Sequence, residues 1–183
     1  MAITPQEAQR VYQEADCLFD RGRVEKAIEA MAAEITRSIA NENPLVLCVM
    51  SGALIPAGIL LTHLDFPLEI DYVHATRYRG ATTGGEISWL VRPRTPVQGR
   101  TVLVVDDILD EGITLAAILK DLRAQGAHRV LSAVLVDKLH DRKEGLSADF
   151  VALQVPDRYV FGYGMDYKEY LRNAPGIYAV KGL

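Results

Sequence analysis

The chain has 183 residues and a mass of 20.2 kDa, which suits one domain with a full core and is short for two. A formal net charge of −4 argues against a general nucleic-acid binder, and 49% hydrophobic with 24% charged residues is ordinary globular composition. The capping pattern of Thr4 and Glu7 predicts a helix rather than a signal peptide, and nothing requires a membrane. Cys17 and Cys48 are isolated, which favours a reduced setting. We therefore predict a single cytoplasmic domain over residues 1–183.

Apolar residues at helical and strand spacings predict the elements in chain order. Helices are expected over residues 5 to about 19, 24–40 and 53–64, and from Thr114 to a stop at Gly126. Strands are expected over residues 45–50, 68–74, 87–91, 102–105, 129–136 and 150–155. Residues 77–85 are polar and lack apolar periodicity, so they should form a long surface loop. The alternation predicts an α/β fold, with a doubly wound, mainly parallel sheet and helices on both faces.

The strand predicted over residues 102–105 leads into the most informative part of the chain. Asp106 and Asp107 follow it, at the carboxyl end of a strand, where ligands bind in open α/β sheets. Residues 110–114 form a small loop that opens a helix, and its backbone N–H groups suit a phosphate. Carboxylates would repel a phosphate alone, but they accept hydrogen bonds from ribose hydroxyls or hold Mg²⁺. The pattern therefore indicates a sugar phosphate.

Some of these features also have a plain structural explanation. An acidic pair at a strand end is by itself better explained by solubility, but Asp110, Gly112 and Thr114 at these offsets favour the binding site. Lys138, just past another apolar strand, is more often a solvated loop residue. Its position at a strand end makes Lys138 a candidate binding residue but assigns it no role.

Two side chains near the carboxyl end are ambiguous by themselves. Tyr159 either stacks on a planar ring or packs in the core. Asp166 follows the bend at residues 162–164, and it either ligates Mg²⁺ or caps a helix that begins at Tyr167. Alone, neither residue assigns a function.

Two segments of the chain resemble a known family. The phosphoribosyl pyrophosphate signature of the type I phosphoribosyltransferases resembles residues 102–114, VLVVDDILDEGIT. The carboxyl-terminal signature of the hypoxanthine-guanine phosphoribosyltransferases is similar to residues 149–172, which include VPDRYVFGYGMDYKEYLR. With the loop at residues 50–52 and the loop at Tyr78, the resemblance spans most of the chain after Leu45. It implies the type I fold, in which terminal segments add a small hood to the sheet.

The resemblance also implies a role for each matching residue. Phosphoribosyl pyrophosphate would be bound by Asp106, Asp107, Asp110, Glu111, Gly112, Ile113 and Thr114, and its pyrophosphate by Ser51, Gly52 and Arg172. Lys138 would donate to the purine 6-oxygen, Tyr159 would stack on the ring, and the backbone of Val160 would read the purine edge. Asp166, with Asp106 and Asp107, would hold Mg²⁺. Asp110 would be the catalytic base near the imidazole nitrogen of the purine, and Arg77, Tyr78 and Arg79 would belong to a closing loop.

The chain departs from the family at three places. Met50-Ser51-Gly52 stands where Leu-Lys-Gly is common, so pyrophosphate would be held there by backbone N–H groups, on the non-proline cis bond that family members use. Ile113 replaces a Lys seen in some relatives. Arg77 adds a positive charge to the closing loop. None of these changes removes a residue that the predicted reaction needs.

The resemblance implies an enzyme of purine salvage. It would transfer the phosphoribosyl group from phosphoribosyl pyrophosphate to hypoxanthine or guanine, with Mg²⁺, giving IMP or GMP and pyrophosphate. A homodimer or homotetramer with small-molecule substrates is expected, without nucleic acid or membrane. Two alternatives remain open: a non-catalytic nucleotide-sensing regulator on the same fold, and a xanthine-preferring enzyme. Lys138 disfavours adenine, because the 6-amino group of adenine cannot accept from an ammonium.

Overall fold

The computed structural model describes residues 3–77, 87–143 and 145–182, with the backbone alone at positions 77 and 87. The elements in chain order are α1 (Pro5–Glu14), β1 (Asp16–Asp20), α2 (Arg21–Ile39), β2 (Leu45–Val49), α3 (Leu54–Leu61), β3 (Glu69–Arg77), β4 (Ile87–Val91), β5 (Thr101–Leu109), α4 (Ile113–Ala124), β6 (Arg129–Leu139), β7 (Phe150–Pro156), β8 (Val160–Phe161) and β9 (Gly176–Ala179). Within those ranges, no helix combines the length and apolar character that crossing a bilayer requires.

The larger sheet has six strands in the order β4-β3-β2-β5-β6-β7, and every pair is parallel except β3 with β4. All five residues of β2 and the first six of β5 are buried, as is typical of parallel strands covered on both faces. From β2 the chain moves to β3, toward one edge of the sheet, and later it moves from β5 to β6, toward the opposite edge. Right-handed crossovers in opposite directions place α3 and α4 on opposite faces. The predicted doubly wound sheet is confirmed, and its switch point lies between β2 and β5.

A smaller antiparallel sheet, in the order β1-β9-β8, joins the two ends of the chain. The helix predicted to run to about residue 19 is wrong, because α1 ends at Glu14 and Asp16 pairs with Ala179. Strand pairing with a distant segment overrides the local helical pattern there. Asp20 then accepts a hydrogen bond of 2.9 Å from the Arg23 N–H and caps α2. The smaller sheet is the hood that the resemblance implied, and a separate apolar cluster around Phe161 fills it.

Strands β5 and β6 run further than the sequence predicted. Their ladder continues through the pairs Asp106↔Val134 and Leu109↔Asp137, because the pairing of the two neighbouring strands extends past the point where polar residues interrupt the apolar run. Asp106 and Asp107 therefore lie inside β5, and Lys138 lies inside β6. The polar side chains at this edge of the sheet are held by paired backbone rather than by a free loop.

Candidate active site

Two adjoining cavities lie at the carboxyl ends of the parallel strands. The smaller, of about 270 Å³, is lined by Asp107, Ile108, Asp110, Lys138, Tyr159, Val160, Met165 and Asp166. The larger, of about 560 Å³, is lined by Val49, Met50, Ser51, Gly52, His74, Ala75, Thr76, Asp106, Asp107, Ile108, Thr114, Asp166, Glu169 and Arg172. The two cavities share Asp107, Ile108 and Asp166. The site thus has two halves that meet at two carboxylates.

The loop after β2 packs tightly against the acidic pair. A Cβ atom added to Gly52 would overlap the Asp107 carboxylate, and one added to Gly164 would overlap the Gly52 carbonyl oxygen. Gly164 also has φ +107°, which favours glycine. The peptide bond between Met50 and Ser51 is cis. The backbone of this loop therefore lies directly beside Asp107.

The acidic pair is held in an unfavourable electrostatic environment. Burial raises the pKa of Asp106 well above its ordinary range, and the charge of Asp107 raises it further. Burial also raises the pKa of Asp107, although Asp106 and Arg172 act in the opposite direction. Two carboxylates that are costly to ionise favour a ligand that supplies hydroxyl donors or a cation. The pair is thus suited to binding and unfavourable for stability.

We expect Asp106→Asn to stabilise the fold at neutral pH. A pKa raised in the folded state gives a stabilisation that is present below the ordinary carboxyl pKa of about 4 and is lost as the pH rises toward the folded value. The substitution removes that loss and the repulsion from Asp107, so the free energy of unfolding at pH 7 should rise by about 0.5–2 kcal/mol. Urea unfolding at pH 7 and pH 4 measures it. The difference should shrink at pH 4, and a variant no more stable than wild type at pH 7 would contradict this account.

In the smaller cavity, one carboxylate has two partners. Lys138 Nζ lies 2.7 Å from Asp110 Oδ2, and His140 Nε2 lies 2.7 Å from Asp110 Oδ1. Burial acts to raise the pKa of Asp110, but the hydrogen bonds with Lys138 and His140 outweigh it, so the pKa is lowered. Asp110 is therefore a carboxylate at neutral pH and has the charge that a proton acceptor needs.

The purine-side residues predicted from sequence line the same cavity. Tyr159 is 40% exposed and meets the Tyr167 ring edge-on, with the ring centroids 5.4 Å apart. Val160 is buried in β8, where it pairs with Ala179. Tyr159 thus offers exposed aromatic surface in the cavity that it lines, and the hood holds the neighbouring backbone in place.

Asp166 and Arg172 form an ion pair on the side of the larger cavity. Arg172 donates 2.7 Å to the Gly164 carbonyl oxygen and lies 2.8 Å from Asp166 Oδ1. Asp166 Oδ2 accepts a hydrogen bond of 2.8 Å from the Glu169 N–H. No helix begins at Tyr167, because the next residues form a tight turn with φ of 47° at Lys168 and 74° at Glu169. The prediction that Asp166 caps a helix is therefore wrong, although its side chain accepts the hydrogen bond that closes this turn.

The predicted phosphate loop enters α4. Gly112 has φ +82° and precedes the first helical residue, Ile113, without a side-chain cap. Helix amino termini with uncapped N–H groups bind anions. Thr114 lines the larger cavity, whereas Glu111, Gly112 and Ile113 line neither of the two cavities. Thr114 therefore lines the same cavity as the acidic pair, whereas residues 111–113 lie outside both cavities.

Among the residues that the structure describes, no three His, Cys, Asp or Glu side chains are close enough to hold a metal ion by themselves. This arrangement fits Mg²⁺, which usually takes one or two carboxylates together with waters and substrate phosphates. Asp106, Asp107 and Asp166 all line the larger cavity and offer the oxygen ligands that Mg²⁺ prefers. The donor set therefore fits a metal bound together with a phosphate ligand.

The predicted closing loop is described only in part. Tyr78 and Arg79 lie outside the described residues, and Arg77 ends β3 with its backbone alone described. Their assignment stays a prediction.

Sequence reasoning missed His140. It also missed Arg142, whose guanidinium holds both oxygens of Asp157 at 2.7 and 2.8 Å. One signal was available, since residues two apart in an extended chain share a face and His140 follows Lys138 at that spacing. The contact that matters, from His140 to Asp110, joins the ends of two different strands and leaves no local pattern.

The switch-point crevice, the acidic pair and the phosphate loop define an α/β protein that binds a sugar phosphate. A family model described as phosphoribosyl transferase domain matches residues 14–169. The hypoxanthine-guanine phosphoribosyltransferase of Bacillus subtilis is 35% identical, over 90% of this chain and 92% of that protein. The hypoxanthine-guanine-xanthine phosphoribosyltransferase of Tritrichomonas foetus is 34% identical, over 90% of each.

Solved structures give the same result. A hypoxanthine phosphoribosyltransferase from Staphylococcus aureus superposes with a TM-score of 0.88 at 26% identity, over 93% of this chain and 94% of that one. The chain belongs to the phosphoribosyltransferase family. The predicted type I fold, with its resemblance to the hypoxanthine-guanine enzymes, is confirmed.

Proposed function

We propose that this phosphoribosyltransferase makes IMP or GMP from hypoxanthine or guanine and phosphoribosyl pyrophosphate, releasing pyrophosphate. The observation that carries the proposal is the Lys138–Asp110 pair in the cavity beside Tyr159, because it offers a donor, a base and an aromatic face together. A 6-oxopurine has the matching groups: a 6-oxygen acceptor, an imidazole N–H and a planar ring. The names of the relatives point to the same substrates.

Asp110 is the proposed general base. The purine N–H bond breaks, its proton moves to the Asp110 carboxylate, and the purine ring nitrogen attacks C1 of the ribose as the bond to pyrophosphate breaks. The electron pair of that bond leaves with the pyrophosphate. Lys138 donates to the 6-oxygen and thereby stabilises the charge that the ring gains as it loses its proton.

The larger cavity holds the phosphoribosyl pyrophosphate. Asp106 and Asp107 accept hydrogen bonds from the ribose hydroxyls, and the α4 amino terminus at residues 111–114 binds the terminal phosphate. Arg172 and the backbone at Ser51 and Gly52 face the pyrophosphate. Asp166 and the acidic pair would hold Mg²⁺, which would supply positive charge to stabilise the departing pyrophosphate.

The substrate panel that tests this proposal contains hypoxanthine, guanine, xanthine and adenine, each with phosphoribosyl pyrophosphate. Xanthine is included because the name of one relative contains it. We expect turnover with hypoxanthine or guanine and very slow turnover with adenine, whose 6-amino group meets the Lys138 ammonium without an acceptor. Adenine turned over as fast as hypoxanthine would contradict the proposed base specificity.

We expect Lys138→Ala to act on the purine alone. Removing one charge-assisted donor costs about 1.5–3 kcal/mol, so kcat/KM for hypoxanthine should fall about tenfold to a hundredfold. The KM for phosphoribosyl pyrophosphate should change little, since Lys138 does not line the larger cavity. Steady-state kinetics with each substrate varied in turn measures both. Equal losses of kcat/KM for hypoxanthine and for phosphoribosyl pyrophosphate would mean that Lys138 has a structural role or acts in the half of the site that binds pyrophosphate.

The proposal includes a single domain that forms a cytoplasmic homodimer or homotetramer. Leu54, Ile70 and Tyr72 expose 58%, 58% and 43% of their surfaces around a cavity of about 340 Å³, and such apolar patches mark interfaces. The two cysteines are free thiols, as suits a reducing compartment. Light scattering on the purified protein should give twice or four times the chain mass, and a monomer would contradict the oligomer.

A further inference from the structure

His140 reaches the site only through Asp110. It follows β6 directly, and its side chain is 3% exposed, whereas that of Asp110 is 43% exposed. Its ring nitrogen Nε2 lies 2.7 Å from Asp110 Oδ1, and it lines neither described cavity of the active site. Among the described residues, Asp110 is the active-site group that this buried imidazole contacts, so His140 is placed to orient that candidate base.

The ring of His140 has one defined tautomer. The backbone N–H of Arg142 donates to Nδ1 at 3.1 Å, so Nδ1 carries a lone pair and the ring hydrogen is on Nε2. The ring therefore donates to Asp110 Oδ1. The bidentate ion pair of Arg142 with Asp157 also anchors this segment. The direction of the donor is thus fixed by backbone and by an ion pair, independently of any ligand.

The two oxygens of Asp110 have partners of different kinds. Lys138 contacts Oδ2, and in the function proposed above it also donates to the 6-oxygen of a bound purine. When the purine binds, Lys138 therefore releases Asp110 Oδ2 or divides its hydrogen bonds between the two oxygens. His140, at Oδ1, faces no substrate group and keeps its hydrogen bond. Oδ2 is therefore the oxygen that becomes available to a purine N–H.

We propose that His140 is a positioning residue, which holds Asp110 through Oδ1 so that Oδ2 receives the imidazole proton of the purine. The inference rests on the proposed function, because it assigns the proton acceptor to one oxygen of Asp110. In the step itself the purine N–H bond breaks and its proton goes to Oδ2. The electron pair stays on the ring, a ring nitrogen forms the new bond to C1 of the ribose, and the bond from C1 to pyrophosphate breaks with its electron pair leaving on the pyrophosphate. His140 neither gains nor loses a proton.

In the part of the chain that the structure describes, the charged and titratable groups that face Asp110 are Lys138 and His140, with the Arg142 guanidinium further away. Of these, His140 is the one that can be removed without taking away the donor to the purine. We compare His140→Ala with His140→Gln, because a glutamine amide can donate in place of Nε2. His63→Ala, at an exposed position after α3, is the matched control.

We expect His140→Ala to lower kcat about tenfold to a hundredfold, the usual effect of losing a hydrogen bond to a charged group or of misplacing a catalytic group. His140→Gln should recover most of the loss, and His63→Ala should show none. The acidic limb of kcat/KM for hypoxanthine should move to higher pH in His140→Ala, because losing the donor raises the pKa of Asp110. The KM for phosphoribosyl pyrophosphate should stay unchanged.

The decisive comparison repeats His140→Ala in an Asp110→Asn background. With no carboxylate left to position, the second substitution should change kcat by less than about twofold. Equal fold losses in both backgrounds would overturn the proposal, as would wild-type kcat in His140→Ala. A His140→Gln variant that unfolds like wild type but is as slow as His140→Ala would also overturn it. If Asp110→Asn alone keeps wild-type kcat, the proposed role of Asp110 fails as well; if it is slow while His140→Ala is normal, only this inference fails.

Discussion

Asp110→Asn should lower kcat by about 10²–10⁴, the usual contribution of a positioned general base. The substitution keeps the size and shape of the side chain and removes its basicity. Asp110 lines the smaller cavity and not the larger one, so the affinity for phosphoribosyl pyrophosphate should be nearly unchanged. Steady-state kinetics for kcat and calorimetric titration of phosphoribosyl pyrophosphate measure the two effects separately.

Asp65→Asn is the matched control for this variant. Asp65 is exposed in the connection from α3 to β3, at the opposite edge of the sheet, so its substitution should leave kcat unchanged. An Asp110→Asn enzyme with wild-type kcat would refute the role of Asp110, provided that a pre-steady-state burst does not show product release to be limiting. Equal loss in both variants would point to a general effect on folding.

Gly52→Ala should lower kcat/KM for phosphoribosyl pyrophosphate by about a hundredfold, the scale expected when a catalytic group is displaced by about 1 Å. The added Cβ would overlap the Asp107 carboxylate, so either the loop or the acidic pair has to move. Asp107 lies where the two cavities meet, and its displacement should disturb both halves of the site. Kinetics with each substrate varied in turn, together with thermal unfolding, measures the effect.

Gly58→Ala serves as the control for Gly52→Ala. It makes the same chemical change six residues later, inside α3, where an added Cβ meets no atom within 4 Å. Alanine in a helix interior is favoured over glycine by about 0.5–1 kcal/mol, so this variant should be active and slightly more stable. Because Gly58 also lines the cavity at the proposed subunit interface, light scattering on this variant checks that its oligomeric state matches wild type. Normal activity in Gly52→Ala would mean that the loop and Asp107 are not coupled as the structure indicates.

The interior strands could be predicted from sequence because each carries its own signal. Strand β2 is buried along its whole length, and its continuous apolar run between a breaker and a turn is visible in the sequence. The ends of β5 and β6 were underestimated, since polar residues such as Asp106 and Lys138 interrupt the apolar run while the ladder continues. The pairing of neighbouring strands, which local pattern does not report, sets those ends.

The hood was harder to predict in detail. Its strands are short, and β1 pairs with β9 across most of the length of the chain. A five-residue strand beginning at Asp16 has no strong alternation and lies beside a helix, so the local pattern favoured continuing that helix. The existence of a hood came from family resemblance alone.

The candidate site likewise contains residues that the sequence indicated and contacts that only the structure shows. Asp110 could be placed in the site from the motif that contains it, and the roles of Asp110 and Lys138 came from the family resemblance; the structure brings the two side chains to 2.7 Å. Three observations needed coordinates: the contact from His140 to Asp110, the overlap at Gly52, and the ion pair of Asp166 with Arg172. Each joins segments that are apart in sequence or depends on distances that spacing does not encode.

The most direct test of the account is the stoichiometry of the products. Purified protein is incubated with hypoxanthine, phosphoribosyl pyrophosphate and Mg²⁺, and IMP and pyrophosphate are quantified in the same samples. We expect the two products in equal amounts over many turnovers, and none after Mg²⁺ is removed with a chelator and before it is restored. Binding of IMP or GMP, with no pyrophosphate released from phosphoribosyl pyrophosphate in the presence of any purine, would contradict the account and identify a nucleotide-sensing regulator on this fold.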